Sequence, residues 1–76
     1  MIQGNEVIPQ LSNREREVLL WLKRGKSSWE IAVILNITER TVNFHVRNIM
    51  VKLNAVSRTQ AVAVAIEKGL TGQTVP

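Results

Sequence analysis

The sequence predicts an all-α domain of four helices. Three observations predict it. Apolar residues recur at the three- and four-residue spacing of a helix face, with no alternating strand pattern. Ser12/Glu15, Ser27/Glu30 and Ser57/Gln60 each read as a capping box, the signature of a helix start. Gly25, Asn36, Asn54 and Gly69 each close an apolar stretch, and Gly and Asn are the residues that best accept the left-handed backbone at a helix end.

The first helix runs from the Ser12 cap to Gly25. Val18, Leu19 and Leu22 form its buried stripe and Trp21 extends it, while Lys23 and Arg24 complement the dipole in the last turn. The second is short, Ser28 to Leu35, with Ile31, Ile34 and Leu35 as its apolar face and Asn36 as its stop. Thr38 caps the third, which reaches about residue 53. Ile37 and Val42 are placed for a hydrophobic staple, and Val42, Val46, Ile49, Met50 and Leu53 make a continuous stripe. The fourth spans roughly Arg58 to Lys68. Ala61, Val62, Ala65 and Ile66 are expected in the core, leaving Ala63 and Val64 outside. Residues 1–10 read as a linker or loose arm, 11–70 as the domain and 71–76 as a flexible tail.

Composition narrows the function. Seventy-six residues make one small domain, too small for a deep cleft with its own supporting shell. There is no cysteine and only one histidine, so thiolate and multi-histidine metal sites are excluded, and no cofactor is expected. No second ionisable group stands at a useful spacing from His45, which reads as a packed, hydrogen-bonded residue at the edge of the core; no enzyme activity is expected. Ten Lys and Arg against six acids leave a net charge of +4, which suits a polyanionic partner such as nucleic acid. No apolar run approaches the roughly 18 residues of a spanning helix, and the N-terminus lacks the pattern of a signal peptide, so the expected compartment is the cytoplasm.

Only Asn36, Ile37 and Thr38 join the second and third helices. So short a link between two capped helices suits a helix-turn-helix, and equally an ordinary helical hairpin. The third helix favours the former. At 100° per residue, Arg40, Phe44, Arg47, Asn48 and Val51 lie opposite the core stripe, with Thr41 and Asn43 on the flanks. Arg donates twice to guanine, Asn pairs with adenine, and Phe or Thr packs on the thymine methyl. This face holds the chemistry that reads base edges in a major groove. Duller readings stand beside it: Phe44 packed under the N-terminal arm, and Arg47 paired with a surface glutamate.

Groups suited to phosphate flank the face. Lys26 and Ser27 lie at the start of the second helix, where exposed N–H groups attract anions. Trp29 either lies on a sugar–phosphate backbone or covers the first helix's core. Lys52 and Arg58 lie near the other end, and Arg40 opens the third helix. Such contacts fix register without carrying sequence information.

The stretches "LSNREREVL", "GKSSWEIA", "TVNFHV" and "SRTQAVA" together resemble the LuxR/GerE-type DNA-binding domain, over Leu11 to Leu70. The wording is closer to the quorum-sensing acyl-homoserine-lactone regulators than to the two-component response regulators of that family. The resemblance implies a four-helix bundle with a helix-turn-helix in helices two and three. It implies sequence-specific binding of double-stranded DNA for regulation of bacterial transcription, as a homodimer through the fourth helix on an inverted repeat. Asn43, Phe44 and Arg47 match base-reading positions, and Lys26, Thr38 and Lys52 match positions close to phosphate. Ala63 and Val64 fall on the dimer helix. Asn43 stands where many members place Lys or Arg, which shortens the reach and removes a charge. Members of this kind also carry a sensing domain, so the chain is either an excised effector domain or a natural short regulator. It holds no pocket for a small-molecule ligand. RNA polymerase is a second candidate partner, and a protein-interaction module docking on such an acidic partner is the alternative reading.

Overall fold

The structure, a computed structural model, describes residues 10–70. The expected tail at 71–76, and all but Gln10 of the expected arm at 1–10, lie outside the described residues. Those described form α1 (Asn13–Lys23), α2 (Ser28–Leu35), α3 (Glu39–Lys52) and α4 (Arg58–Glu67).

Each helix starts where its cap predicts. Ser12 accepts from the Glu15 N–H at 3.1 Å while Glu15 accepts from the Ser12 N–H at 2.9 Å. Ser27 and Glu30 repeat the reciprocal pair at 3.1 and 2.8 Å. The third box is only half formed. Ser57 accepts from the Gln60 N–H, but the Gln60 side chain passes over the cap and accepts from the Val56 N–H at 2.6 Å. Ser57 is more extended than the Ser12 and Ser27 caps, with φ −151° against −70° and −76°.

All four helices close the same way. Gly25, Asn36, Asn54 and Gly69 adopt φ between 55° and 83°. The N–H groups of Lys26, Ile37, Ala55 and Leu70 then reach back to Trp21, Ala32, Met50 and Ala65, at 2.8 to 3.0 Å. This is the Schellman arrangement, which satisfies carbonyls that a helix end leaves open.

The core joins all four helices. Val18, Leu19 and Leu22 of α1 meet Ile31 and Ala32 of α2, Val42, Val46 and Ile49 of α3 with Leu53 just beyond it, and Ala61 and Ala65 of α4. Leu11 closes one end. Full burial of a side chain such as Leu19, Ile31 or Ile49 stabilises by about 1.5–3 kcal/mol. α3 is the central element and packs mainly on α1 and α2, so one of its faces is buried and the other is held out rigidly.

Two core assignments need correction. Ile34 is 41% exposed; α2 instead buries Ser28, Ile31 and Ala32, with Leu35 half-buried. The positions i, i+3, i+4 and i+7 set the buried face of this two-turn helix, and the side chain's apolarity does not move it. In α4 Ile66 is 53% exposed, whereas Val64 is half-buried and packed against the core. The small Ala61 and Ala65 bring α4 close enough to its neighbours for Val64 to be covered.

One ion pair crosses the bundle. The Lys52 ammonium donates to Glu15 Oε1 at 2.7 Å and to the Gln10 carbonyl at 3.1 Å. Glu15 is buried, and its burial, the largest influence, pushes the carboxyl up; the hydrogen bonds from Lys52 and the Ser12 N–H and the charges of Lys52 and His45 outweigh it, so the pKa is lowered from 4.5.

Candidate nucleic-acid interface

The outer face of α3 carries Arg40, Asn43, Phe44, Arg47 and Val51, all exposed, with Thr41 and Asn48 half-buried at its margins. Phe44 is 59% exposed and Val51 74%. An open hollow of about 600 Å³ is lined by Glu39, Arg40, Asn43, Phe44 and Arg47. Among the described residues neither Arg40 nor Arg47 joins an ion pair, so the surface-glutamate reading of Arg47 finds no partner. Phe44 stands edge-on to His45, with ring centroids 5.7 Å apart and planes at 64°. His45 is packed as expected, but its buried Nδ1 has no hydrogen-bond partner among the described residues.

Of the groups expected at phosphate, Lys26 is half-buried at the start of α2 and Trp29 projects from its first turn, 63% exposed. Trp29 therefore does not cover the α1 core. Ser27 and Thr38 are engaged as caps. The Ser27 N–H donates to Glu30, whose carboxylate already occupies the α2 N-terminus. That hydrogen bond from the Ser27 backbone is the main reason the Glu30 pKa is lowered. Thr38 accepts from the Thr41 N–H at 3.0 Å and donates its own proton to Thr41 Oγ1 at 2.9 Å.

Two cations are committed elsewhere. Lys52, expected at phosphate, is held by Glu15 and the Gln10 carbonyl. Arg58, also expected there, turns inward from the first turn of α4. Its guanidinium donates to Ser28 Oγ and, at 3.0 Å, to Asn43 Oδ1, while Ser28 Oγ donates to the same Asn43 oxygen at 2.6 Å. Sequence reasoning missed this three-helix link. Its one available signal was Ser28, a hydroxyl at a position that the α2 periodicity puts inside.

The four helices, the three-residue link between α2 and α3 and the projecting face of α3 coincide with a known sequence pattern: residues 9–65 match the profile of the bacterial regulatory proteins of the luxR family. The chain belongs to the LuxR family. Among its relatives, the quorum-sensing regulator RhlR of Pseudomonas aeruginosa is 53% identical over 70 residues, which is 92% of this chain and 28% of RhlR. The structure of the transcription factor GerE matches with a TM-score of 0.75 at 37% identity, covering 79% of this chain and 90% of GerE. VqmA of Vibrio cholerae, solved as a complex with ligand and DNA, matches with a TM-score of 0.80 at 30% identity, covering 87% of this chain and 29% of VqmA. The chain spans about a fifth to just over a quarter of the length of LuxR-family relatives such as RhlR. Among the described residues no helix is long and apolar enough to cross a membrane.

Proposed function

We propose that this LuxR-family domain binds double-stranded DNA in a sequence-specific way and regulates bacterial transcription, acting in the cytoplasm on the nucleoid. The observation that carries the reading is the pair of exposed guanidinium groups, Arg40 and Arg47, flanking exposed Phe44 and Asn43 on one helix face. α3 has 14 residues, about 21 Å, and enters a major groove of about 12 Å width. Asn43, Phe44 and Arg47, with Thr41 and Asn48, meet base edges. Lys26, Ser27, Trp29, Thr38 and Arg40 lie along the phosphates. VqmA, similar in fold and at 30% identity, has been captured on DNA, which supports this reading.

Two copies bind an inverted repeat with half-sites about one helical turn apart, paired through α4. Ala63 and Ile66 are the exposed apolar residues of that helix, and Val64 contributes from the margin. Selection of bound duplexes from a random pool tests specificity and half-site spacing together. Enrichment of a two-fold motif whose binding falls steeply with salt is expected. An unenriched pool, or salt-independent binding, overturns the reading.

A second reading rests on the other exposed apolar face. Trp29, Val33 and Ile34 project from α2 toward solvent and suit a protein partner such as RNA polymerase. The two uses share Trp29, while base reading falls to α3 and Val33 and Ile34 belong to this face alone. Polymerase binding that survives Arg47→Ala and is lost with Val33→Glu would identify this face.

A further inference from the structure

The contact between Arg58, Ser28 and Asn43 fixes what Asn43 can offer a partner. An arginine guanidinium has donors and no acceptor. The Asn43 atom that faces it is therefore the oxygen, and this sets the orientation of the amide without ambiguity. Ser28 Oγ and Arg58 donate to that one oxygen at 2.6 and 3.0 Å, so both of its lone pairs are occupied. The amide nitrogen is the remaining polar group. Asn43 is exposed and lines the hollow with Arg40, Phe44 and Arg47, so this nitrogen is the polar group it can offer a partner there.

We infer that Ser28 and Arg58 are positioning residues that convert Asn43 into a donor-only reader, selecting the paired acceptors of guanine in a G·C pair in place of the A·T pair that a free asparagine favours. The inference rests on the DNA-binding reading above. Bidentate pairing with adenine needs one donor and one acceptor from the amide. Here the acceptor is turned into the protein. Guanine presents two adjacent acceptors, N7 and O6, which suit an outward NH₂, whereas adenine presents N7 beside an amino donor and thymine presents O4 alone. Cytosine presents an amino donor that would meet a donor. Arg47 stands one helical turn beyond Asn43 and also only donates, so the two together favour an acceptor-rich run. Arg58 thus acts on specificity from α4 although it lies off the reading face.

The test is a comparison of duplexes selected from a random pool by the wild-type domain and by Asn43→Ala, Arg58→Ala, Ser28→Ala and Asn43→Asp, with a thermal melt for each. Wild type should enrich a G·C pair at one position of the half-site, with on the order of tenfold discrimination against A·T, and Asn43→Ala should lose it. Arg58→Ala and Ser28→Ala should relax that same position and leave the others intact, a change that a merely structural or phosphate role would not produce. If guanine is selected, 7-deazaguanine there should weaken wild type severalfold and leave Asn43→Ala unaffected. Asn43→Asp keeps an acceptor for Ser28 and Arg58 and turns the outward group into an acceptor, so it should lose both the guanine preference and the sensitivity to 7-deazaguanine. Should Arg58→Ala fail to fold, Ser28→Ala and Asn43→Asp carry the test. An A·T pair at the Asn43-dependent position of wild type overturns the inference. So does the lack of any such position, or a uniform loss of affinity in both clamp variants that leaves the base profile unchanged. A wild-type pool with no enrichment at all would instead remove the DNA-binding reading itself.

Discussion

Lys52, in the last turn of α3, and Glu15, in the first turn of α1, meet at 2.7 Å across 37 positions of sequence. Glu15 is also the reciprocal partner of the Ser12 cap, and the same oxygen accepts both bonds. One carboxylate therefore starts α1 and anchors the end of the helix that presents the reading face.

Glu15→Gln keeps the shape and removes the charge. We expect it to lower stability by about 1 kcal/mol, because the amide oxygen still accepts from Lys52 and the Ser12 N–H but no longer carries the charge, and Lys52 keeps access to water. In a domain of this size that is a fall in Tm of roughly 4–8 °C, readable by circular dichroism. An unchanged Tm would show the pair to be energetically idle.

Stability should also fall in acid. The Glu15 pKa is lowered in the fold from 4.5, so its contribution is complete above that value and disappears as pH drops through the lower, folded value. Glu30 is shifted in the same direction. Tm should be flat near neutrality and decline below about pH 4.5, more steeply for wild type than for Glu15→Gln.

Asn36 holds φ 58° in the turn between α2 and α3. Asn36→Gly should leave Tm nearly unchanged, since glycine has no Cβ to strain. Asn36→Ala should cost up to about 1 kcal/mol, because alanine keeps the Cβ that strains in the left-handed region and lacks the short polar side chain with which asparagine tolerates it. Equal effects of the two substitutions would show that the turn adopts another conformation.

Arg47→Ala should cost about 1–3 kcal/mol on the selected duplex and relax preference at one base pair. Arg40→Ala should weaken all duplexes alike and reduce the salt dependence. Exchange of these two patterns would reverse the assignments of base and phosphate.

Ile66→Glu alters an exposed position, so the domain should still fold. Cooperative binding to a duplex with two half-sites should fall severalfold, while binding to one half-site is preserved. Full cooperativity in this variant would place the contact between copies elsewhere.

Much of this fold is written locally. Caps and stops need only neighbours in sequence, so Ser12, Ser27, Thr38 and the four left-handed residues were legible in the sequence, as was the α3 stripe, whose 14 residues define a face several times over. The errors came where a helix is short or its residues small. α2 has two turns, and Ile34 looked as suitable for burial as Ala32; only packing against α1 and α3 separates them. In α4 the alternation of Ala and Val allows several faces, and Val64 and Ile66 exchanged roles. At the candidate interface, residue types were readable but pairing was not. Charge alone suggested that Lys52 and Arg58 reach outward. Their partners, Glu15 in one case and Ser28 and Asn43 in the other, are brought to them by tertiary packing over separations of 15 to 37 residues.

The four matched helix endings bear on how this domain comes into being. With starts and stops specified by nearby residues, few distant pairings must be found before the chain commits to its topology. Helical domains dominated by local contacts assemble in microseconds to milliseconds, whereas synthesis adds only about 5–20 residues each second. The tract should therefore be complete almost as soon as it clears the ribosome, leaving little time for its greasy surfaces to meet those of another nascent chain.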